Sequence, residues 1–376
     1  MQYRYLTKNN LKISLLGFGC MRLPVINNDS ANIDEIEASK MLNYAIENGI
    51  NYIDTAYPYH QEQSEVFLGR YLKNGLRDKV HIATKLPVWL VDKYADFERL
   101  LDEQLERLQT DHIDFYLLHS LHEKVYRKIL DLKVFDFLEE ARRKGKIKYV
   151  GFSFHDELPL FKEIVDSYPW DFCQIQLNYM DRQYQAGIEG LKYAKDKGID
   201  VIIMEPIKGG KLASAPDEIA KIMNESKTKY TPAQWALRWL YNFEEVSVVL
   251  SGMSTIDQVK ENIETTDNCL PNSLSLEDLN IIDKTTEVYK RKIKVGCTEC
   301  EYCLPCPSNV VIPSIFSYYN NIYVYGTEKE SKDSYGNLVS KEKDVSKCIE
   351  CGACEDICPQ HIEIITLLKD AQKALI

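Results

Sequence analysis

Long apolar runs are missing from this chain. Nothing in it approaches the ~18 apolar residues of a transmembrane helix, and the opening MQYRYLTKNNLKISLLGFGC has no apolar stretch of signal-peptide length before its polar residues. A cytoplasmic protein that does not touch membrane is the expectation. Positive charge is also short, with 46 Lys and Arg against 57 Asp and Glu for a net charge of −11. Phosphate backbones require clustered cations, so no nucleic-acid partner is expected. The first strand is not followed by G-x-G-x-x-G, so the dinucleotide fingerprint of a doubly wound sheet is missing. There is no flavin signature either.

Cysteine, in contrast, is abundant and concentrated. Eight of the eleven lie between Cys297 and Cys358. A large chain with no export signal makes bound metal the better reading of that density than a disulfide scaffold. The scattered Cys20, Cys173 and Cys269 read as small buried apolar side chains.

The chain is long for one hydrophobic core, so a barrel-sized domain and a smaller second one are expected. Residues 11–265 alternate β-branched runs with amphipathic stretches. The strand candidates are 13–19, 50–54, 80–85, 113–119, 147–153, 172–177, 200–204 and 246–250. In FERLLDEQLERL the residues Phe97, Leu100, Leu101, Leu105 and Leu108 share one helical face. Gly145 and Gly198 each close a helix and run almost directly into a strand. Thr255-Ile-Asp-Gln258 has capping-box spacing. Eight strands in strict alternation with helices predict an α/β fold, a (β/α)8 barrel over 1–285; a doubly wound sheet is the alternative. Residues 286–376 are expected to form a small, mostly helical domain.

The second cysteine run, Cys348-x2-Cys351-x2-Cys354-x3-Cys358-Pro359, has the bacterial ferredoxin spacing. Zinc needs four ligands and usually takes them as two separated C-x2-C pairs, so a continuous run with successive x2 spacings is not its usual pattern. The first run, Cys297-x2-Cys300-x2-Cys303-x2-Cys306-Pro307, is one residue short before its last cysteine. Zinc or a degraded site is the alternative there.

Active sites of such barrels collect at the C-terminal ends of the strands. Those ends carry Asp54, Lys85 and His119, with Tyr59 in the loop after Asp54. The four can serve one reaction. A carbonyl that accepts hydride becomes an alkoxide and needs a proton, which a tyrosine can give if its phenolate is stabilised. A Lys ammonium stabilises it, Asp54 holds the Lys, and His119 orients the carbonyl oxygen.

At this point the segments GINYIDTAYPYHQEQSEVFLGRYL, IATK, DFYLLHS, GFS, QIQLN, MEPIKGGKL and SGMSTIDQVKEN resemble the aldo-keto reductase superfamily. The resemblance covers about residues 10–265 and implies an oxidoreductase acting on a small carbonyl substrate with NAD(P)H. Its catalytic tetrad maps onto Asp54, Tyr59, Lys85 and His119, with Lys85 and Asp54 lowering the Tyr59 pKa. The resemblance further implies Ser153 and Gln176 at the nicotinamide carboxamide, Met204 against the nicotinamide ring, and Gly209 and Gly210 near the pyrophosphate. Gly252, Ser254, Gln258 and Asn262 would hold the adenosine end. Phe154 stands where many relatives have Asn, Met204 where many have an aromatic ring, and Gly252 and Gln258 where Lys and Arg commonly grip a 2′-phosphate. NADH and NADPH are both left open.

The C-terminal part is similar to the ferredoxin-like extension of one branch of this superfamily. That likeness implies two [4Fe–4S] clusters with crossed fourth ligands: Cys297, Cys300, Cys303 with Cys358, and Cys348, Cys351, Cys354 with Cys306. Three functions follow: a nicotinamide-dependent carbonyl reductase, a reductase fed through its clusters by a ferredoxin-like partner, and a non-catalytic redox sensor. The intact tetrad weighs against the last.

Overall fold

The computed structural model describes the chain apart from residues 9, 74, 298, 300, 301 and 359. Its contacts divide into two units, Met1–Gly209 with Ala233–Leu274, and Gly210–Pro232 with Ser275–Ile376.

The first unit opens on an antiparallel hairpin, β1 (Tyr3–Tyr5) and β2 (Lys12–Ser14). The barrel strands follow: β3 (Leu16–Gly19), β4 (Tyr52–Asp54), β5 (His81–Leu86), β6 (Ile113–Leu121), β7 (Ile147–Phe154), β8 (Phe172–Gln176), β9 (Asp200–Met204) and β10 (Val246–Ser251). They pair in parallel in chain order, and β10 closes onto β3. The expected (β/α)8 barrel is therefore the fold. One strand is corrected: 13–19 does not run as a unit. The Leu15 N–H turns away to the Gln2 carbonyl, and Ser14 Oγ donates to the Leu16 carbonyl at 2.8 Å, which breaks the run between hairpin and barrel.

Side chains alternate across a strand, so the residues filling the barrel predict those above them. Tyr52, Ala83, Phe115, Leu117, Phe172, Ile202, Val248 and Leu250 form one buried cluster, which Leu6 and Ile13 join from the hairpin end. Two residues further along the same strands lie Asp54, Lys85, His119, Gln174 and Met204. The apolar layer thus fixes the height and facing of the polar one. Gly151 belongs to this scheme through close approach, because a Cβ there would lie 2.6 Å from the Phe172 carbonyl oxygen.

Outside the barrel, helix Tyr94–Leu108 buries Phe97, Leu100, Leu101 and Leu108. The predicted face is rotated slightly: Gln104 is fully buried and Leu105 only half-buried. Gly69 lets helix Gln63–Tyr71 meet it, since a Cβ there would lie 2.2 Å from the Arg107 carbonyl oxygen.

The second unit is helical. Its main helices are Leu276–Arg291, Ile312–Tyr325, Glu328–Ser340 and Ile364–Leu375. Ile315, Phe316, Tyr335, Leu368 and Ala371 are among its core residues, and Cys297, Cys303, Cys306, Cys348, Cys354 and Cys358 pack against that core. No helix among the described residues is long and apolar enough to cross a membrane.

Candidate active site and metal centre

Three of the four tetrad residues are brought into contact. Lys85 Nζ donates to Asp54 Oδ1 at 2.7 Å, to the Thr55 carbonyl at 2.8 Å and to the Tyr59 hydroxyl oxygen at 3.4 Å. Gln174 Nε2 reaches Asp54 Oδ2 at 3.4 Å. Asp54 and Lys85 are buried, so each needs the other to remain charged. His119 completes the group through its ring, which lies edge-on to Tyr59 with centroids 6.4 Å apart. Its Nδ1 is buried without a hydrogen-bond partner. Trp89 covers the other side of His119 at 5.0 Å and is itself partly exposed, which gives the mouth an aromatic wall.

Electrostatics separate the roles. Burial tends to lower Lys85, but Asp54 and Tyr59 outweigh it and hold the ammonium above its ordinary value. Burial raises the Tyr59 hydroxyl; Lys85 pulls it down and Asp54 pushes it up. Lys85 thus acts in the expected direction and Asp54 in the opposite one, and burial makes the net direction upward. Tyr59 stands as a protonated phenol with a cation beside its oxygen. Burial, Lys85 and His155 hold His119 well below its ordinary value, so its imidazole is neutral.

Beneath Lys85 lies a second polar group. Glu65 is fully buried and accepts from Thr84 Oγ1 at 2.5 Å and Gln104 Nε2 at 2.7 Å. Gln104 Nε2 also donates to the Lys85 carbonyl at 3.0 Å. Burial lifts the Glu65 carboxyl from 4.5 to about 7. A raised carboxyl pKa favours the folded state at low pH. That contribution is full below about 4.5 and lost as pH rises through about 7, on the order of 3 kcal/mol in all. Glu65→Gln retains the accepting oxygen and removes the titration. Its unfolding midpoint in denaturant is expected to gain on the wild type between about pH 5 and about pH 8. A constant difference across that range would show that Glu65 does not titrate there.

The expected cofactor positions are less uniform. Ser153 is buried and its Oγ accepts from the Ser120 N–H at 2.7 Å, leaving its hydroxyl free to donate. Gln176 Nε2 donates to Asp181 at 3.2 Å, and Met204 pairs opposite Gln176 in the sheet. Gly209 and Gly210 have φ of 65° and 98°. The Gln258 N–H donates to Thr255 Oγ1, so Thr255 caps the helix as the spacing suggested, but Gln258 Oε1 accepts from the Ser254 N–H at 2.8 Å, one residue before the position a capping box requires. Asn262 is buried and donates to Ser251 Oγ at 3.0 Å. Gly252 lies against the side chain of Arg22.

In the second unit, Cys303, Cys306, Cys348, Cys351 and Cys354 line one cavity of about 270 Å³, with Val310, Ile312, Ile349, Ile357, Ile365 and Leu368 forming apolar wall. Among the described residues no three metal-binding side chains converge on one ion-sized point. The thiols instead ring a space far larger than a single ion held at ~2.3 Å from each sulfur. Thiolates around an apolar, multi-atom cavity fit a cluster, and they include the Cys306 that the crossed assignment pairs with the second run. Cys297 and Cys358 are partly buried against the same core. Cys300 lies outside the described residues.

The aldo/keto reductase family model matches residues 15–287. The chain belongs to that family. This aldo/keto reductase also carries a 4Fe-4S dicluster domain over residues 296–363. It is 27% identical over 312 residues to L-galactose dehydrogenase of Arabidopsis thaliana, covering 77% of this chain and 96% of the relative. The same identity extends over 354 residues of the protein tas of Escherichia coli, covering 77% and 99%. Among solved structures, the holo form of an aldo-keto reductase from Bacillus halodurans superposes with a TM-score of 0.63 at 29% identity, covering 76% of this chain and 96% of that one. The reductase is thus an enzyme of the oxidoreductase class.

Several working residues escaped the sequence. Thr55 acts through its backbone carbonyl, which no side-chain pattern reveals. Gln174 was legible in principle, being a polar residue two positions before Gln176 on the same strand face. Trp89 was equally readable as packing or as pocket wall.

Proposed function

We propose that this enzyme reduces an aldehyde or ketone, reversibly, with Tyr59 as the proton donor and NAD(P)H as the partner reductant. The observation that carries the reading is the Lys85 ammonium placed at once on Asp54, on the Thr55 carbonyl and on the Tyr59 oxygen. A nicotinamide, when bound, supplies the hydride. The protein's own part is proton delivery. Tyr59 gives its proton to the developing alkoxide, and Lys85, kept charged by Asp54, stabilises the phenolate left behind. Neutral His119 donates a hydrogen bond to the carbonyl oxygen without competing as an acid. Trp89 bounds the pocket of a small carbonyl substrate. Ser153 and Gln176 would hold the carboxamide of a bound nucleotide, Met204 its ring, and Gly209, Gly210, Gly252, Ser254, Gln258 and Asn262 the rest.

The functional division proposed from the sequence is 1–285 for the barrel and 286–376 for the cluster domain, although the helix Leu276–Arg291 that spans this boundary packs as part of the second unit. Cys306 with Cys348, Cys351 and Cys354 would hold one [4Fe–4S] cluster, and Cys297, Cys300 and Cys303 with Cys358 a second. Hydride moves two electrons together and each cluster one, so hydride transfer from a nicotinamide has no need of the clusters, and single-electron delivery through them is the competing reading. The test uses anaerobically purified holoprotein and para-nitrobenzaldehyde. NADPH or NADH oxidation dependent on the aldehyde is expected. Turnover only with dithionite or a reduced ferredoxin would overturn this reading and favour a cluster-fed reductase; a cytoplasmic setting suits either.

A further inference from the structure

The loop that carries Tyr59 turns against the natural hand of an L-chain. His60, Gln61 and Glu62 follow the tyrosine with φ of 53°, 49° and 71°, three successive non-glycine residues in the left-handed region. The side chain crowds the backbone there, so L-residues visit it singly and only where the surroundings hold them. Glycine would take such positions freely, and none of the three is glycine. The turn therefore has to be held from outside. It also decides where Tyr59 points, because among the described residues the phenol oxygen has one hydrogen bond, the long one from Lys85 at 3.4 Å.

His60 supplies the hold. It is buried, and its two ring nitrogens reach two places in the segment that follows β3. Nε2 accepts from the Leu23 N–H at 3.2 Å, and Nδ1 lies 2.8 Å from the Ser30 carbonyl oxygen. A backbone N–H only donates and a carbonyl only accepts, so Nδ1 carries the proton and Nε2 the lone pair. Burial lowers the His60 pKa against the pull of the Ser30 and Cys20 carbonyls, in keeping with that neutral tautomer. Its neighbours are tied as well. Gln61 Nε2 donates to Ser30 Oγ at 2.7 Å, and Glu62 pairs with Arg107 at 2.6 Å. The Ser64 N–H donates to the Tyr59 carbonyl at 3.2 Å, and Ser64 Oγ donates to the Cys20 carbonyl at 3.3 Å. The Tyr59 loop is thus fastened at both ends of the turn Cys20–Arg22, through Cys20 itself and through Leu23 just beyond it.

We infer that His60 is a positioning residue for the reaction: its imidazole bridges Leu23 and Ser30 and so holds the left-handed turn that presents the Tyr59 hydroxyl to Lys85. The inference rests on the acid role proposed above for Tyr59. Gln61 and Glu62 are exposed, so their ties compete with water, whereas the His60 bonds are made out of its reach. Substitutions can separate the parts. Glycine relieves the backbone and removes both bonds. Asparagine tolerates the left-handed region, and its amide can donate to the Ser30 carbonyl from near the Nδ1 position, but it is too short to stand in for Nε2.

The experiment is a double-mutant cycle on anaerobically purified full-length holoprotein, reading kcat for para-nitrobenzaldehyde beside the Kd of NADH and NADPH. His60→Gly is expected to lower kcat by ~10- to 100-fold, as a donor misplaced by about 1 Å would, with each Kd kept within about threefold. His60→Asn should recover most of that loss. In the Tyr59→Phe background no hydroxyl remains to be positioned, so His60→Gly should change the residual rate by less than about threefold. Unchanged kcat in His60→Gly overturns the inference, and so does a loss that His60→Asn fails to recover. A matching loss of nucleotide affinity also overturns it, by placing the damage in the segment after β3. An equal drop in the Tyr59→Phe background overturns it by showing that His60 acts elsewhere. Wild-type kcat in Tyr59→Phe alone marks the failure of the acid reading instead, and takes this inference with it.

Discussion

Tyr59→Phe is expected to lower carbonyl turnover by ~100- to 10,000-fold while leaving nucleotide affinity and the unfolding midpoint near wild type. The hydroxyl is the only atom removed, and its one hydrogen bond to Lys85 is long at 3.4 Å, so the fold loses little. What disappears is the proton donor, and nothing nearby replaces it. His119 is held neutral, and the Lys85 ammonium is committed to Asp54 and held above its ordinary value, so the phenol is the group left to give its proton to the carbonyl oxygen. Lys85→Met would be a poorer probe. It leaves the buried Asp54 carboxylate uncompensated, at ~3–5 kcal/mol, so lost activity could reflect lost folding. The decisive measurement is kcat for aldehyde reduction beside the nucleotide Kd in Tyr59→Phe. Retention of kcat within about threefold would remove Tyr59 from the acid role.

Cys306→Ala is expected to strip the cluster held by the second cysteine run, although Cys306 belongs to the first. Iron per chain should fall by about half. Cys306, Cys348, Cys351 and Cys354 share one cavity wall, whereas the sequence separates Cys306 from Cys348 by more than forty residues. Double variants decide the pairing. Under the crossed assignment Cys306→Ala with Cys348→Ala loses no more iron than either alone, and Cys306→Ala with Cys297→Ala loses both clusters. The reverse pattern, measured as iron and acid-labile sulfide with electron paramagnetic resonance of the reduced protein, would assign Cys306 to its own run. Cys303 also lines the cavity, so Cys303→Ala is the informative control.

The barrel was readable because its signal is repeated eight times, and period-2 alternation within each strand locates Asp54, Lys85 and His119 at the same height. The split at Leu15 was not readable. The segment 13–19 is apolar apart from Ser14 and its glycines, and whether its first half pairs with β1 or continues the barrel depends on a hydrogen bond to Gln2 far from any local pattern. Gln104 was hidden for a related reason. A helical wheel assigns polar residues outward, and only the buried Glu65 and Thr84 opposite make an inward glutamine favourable. The direction of the Tyr59 shift was beyond sequence altogether, since it depends on burial winning over the Lys85 charge. In the cysteine region spacing identified the ligands, while the sharing of one cavity by two runs is a tertiary fact that no spacing encodes.

The hairpin β1–β2 sends Leu6 and Ile13 into the same apolar cluster that fills the barrel. The barrel is therefore a cup with a sealed base. In the proposed reaction every species has to use the rim: the carbonyl enters there, the alcohol leaves there, and the proton that reloads Tyr59 comes back by the same way. Reprotonation and product exit then compete for one opening. A bulky alcohol lingering under Trp89 would delay the next turnover by keeping water from the tyrosine, even after the chemistry is done.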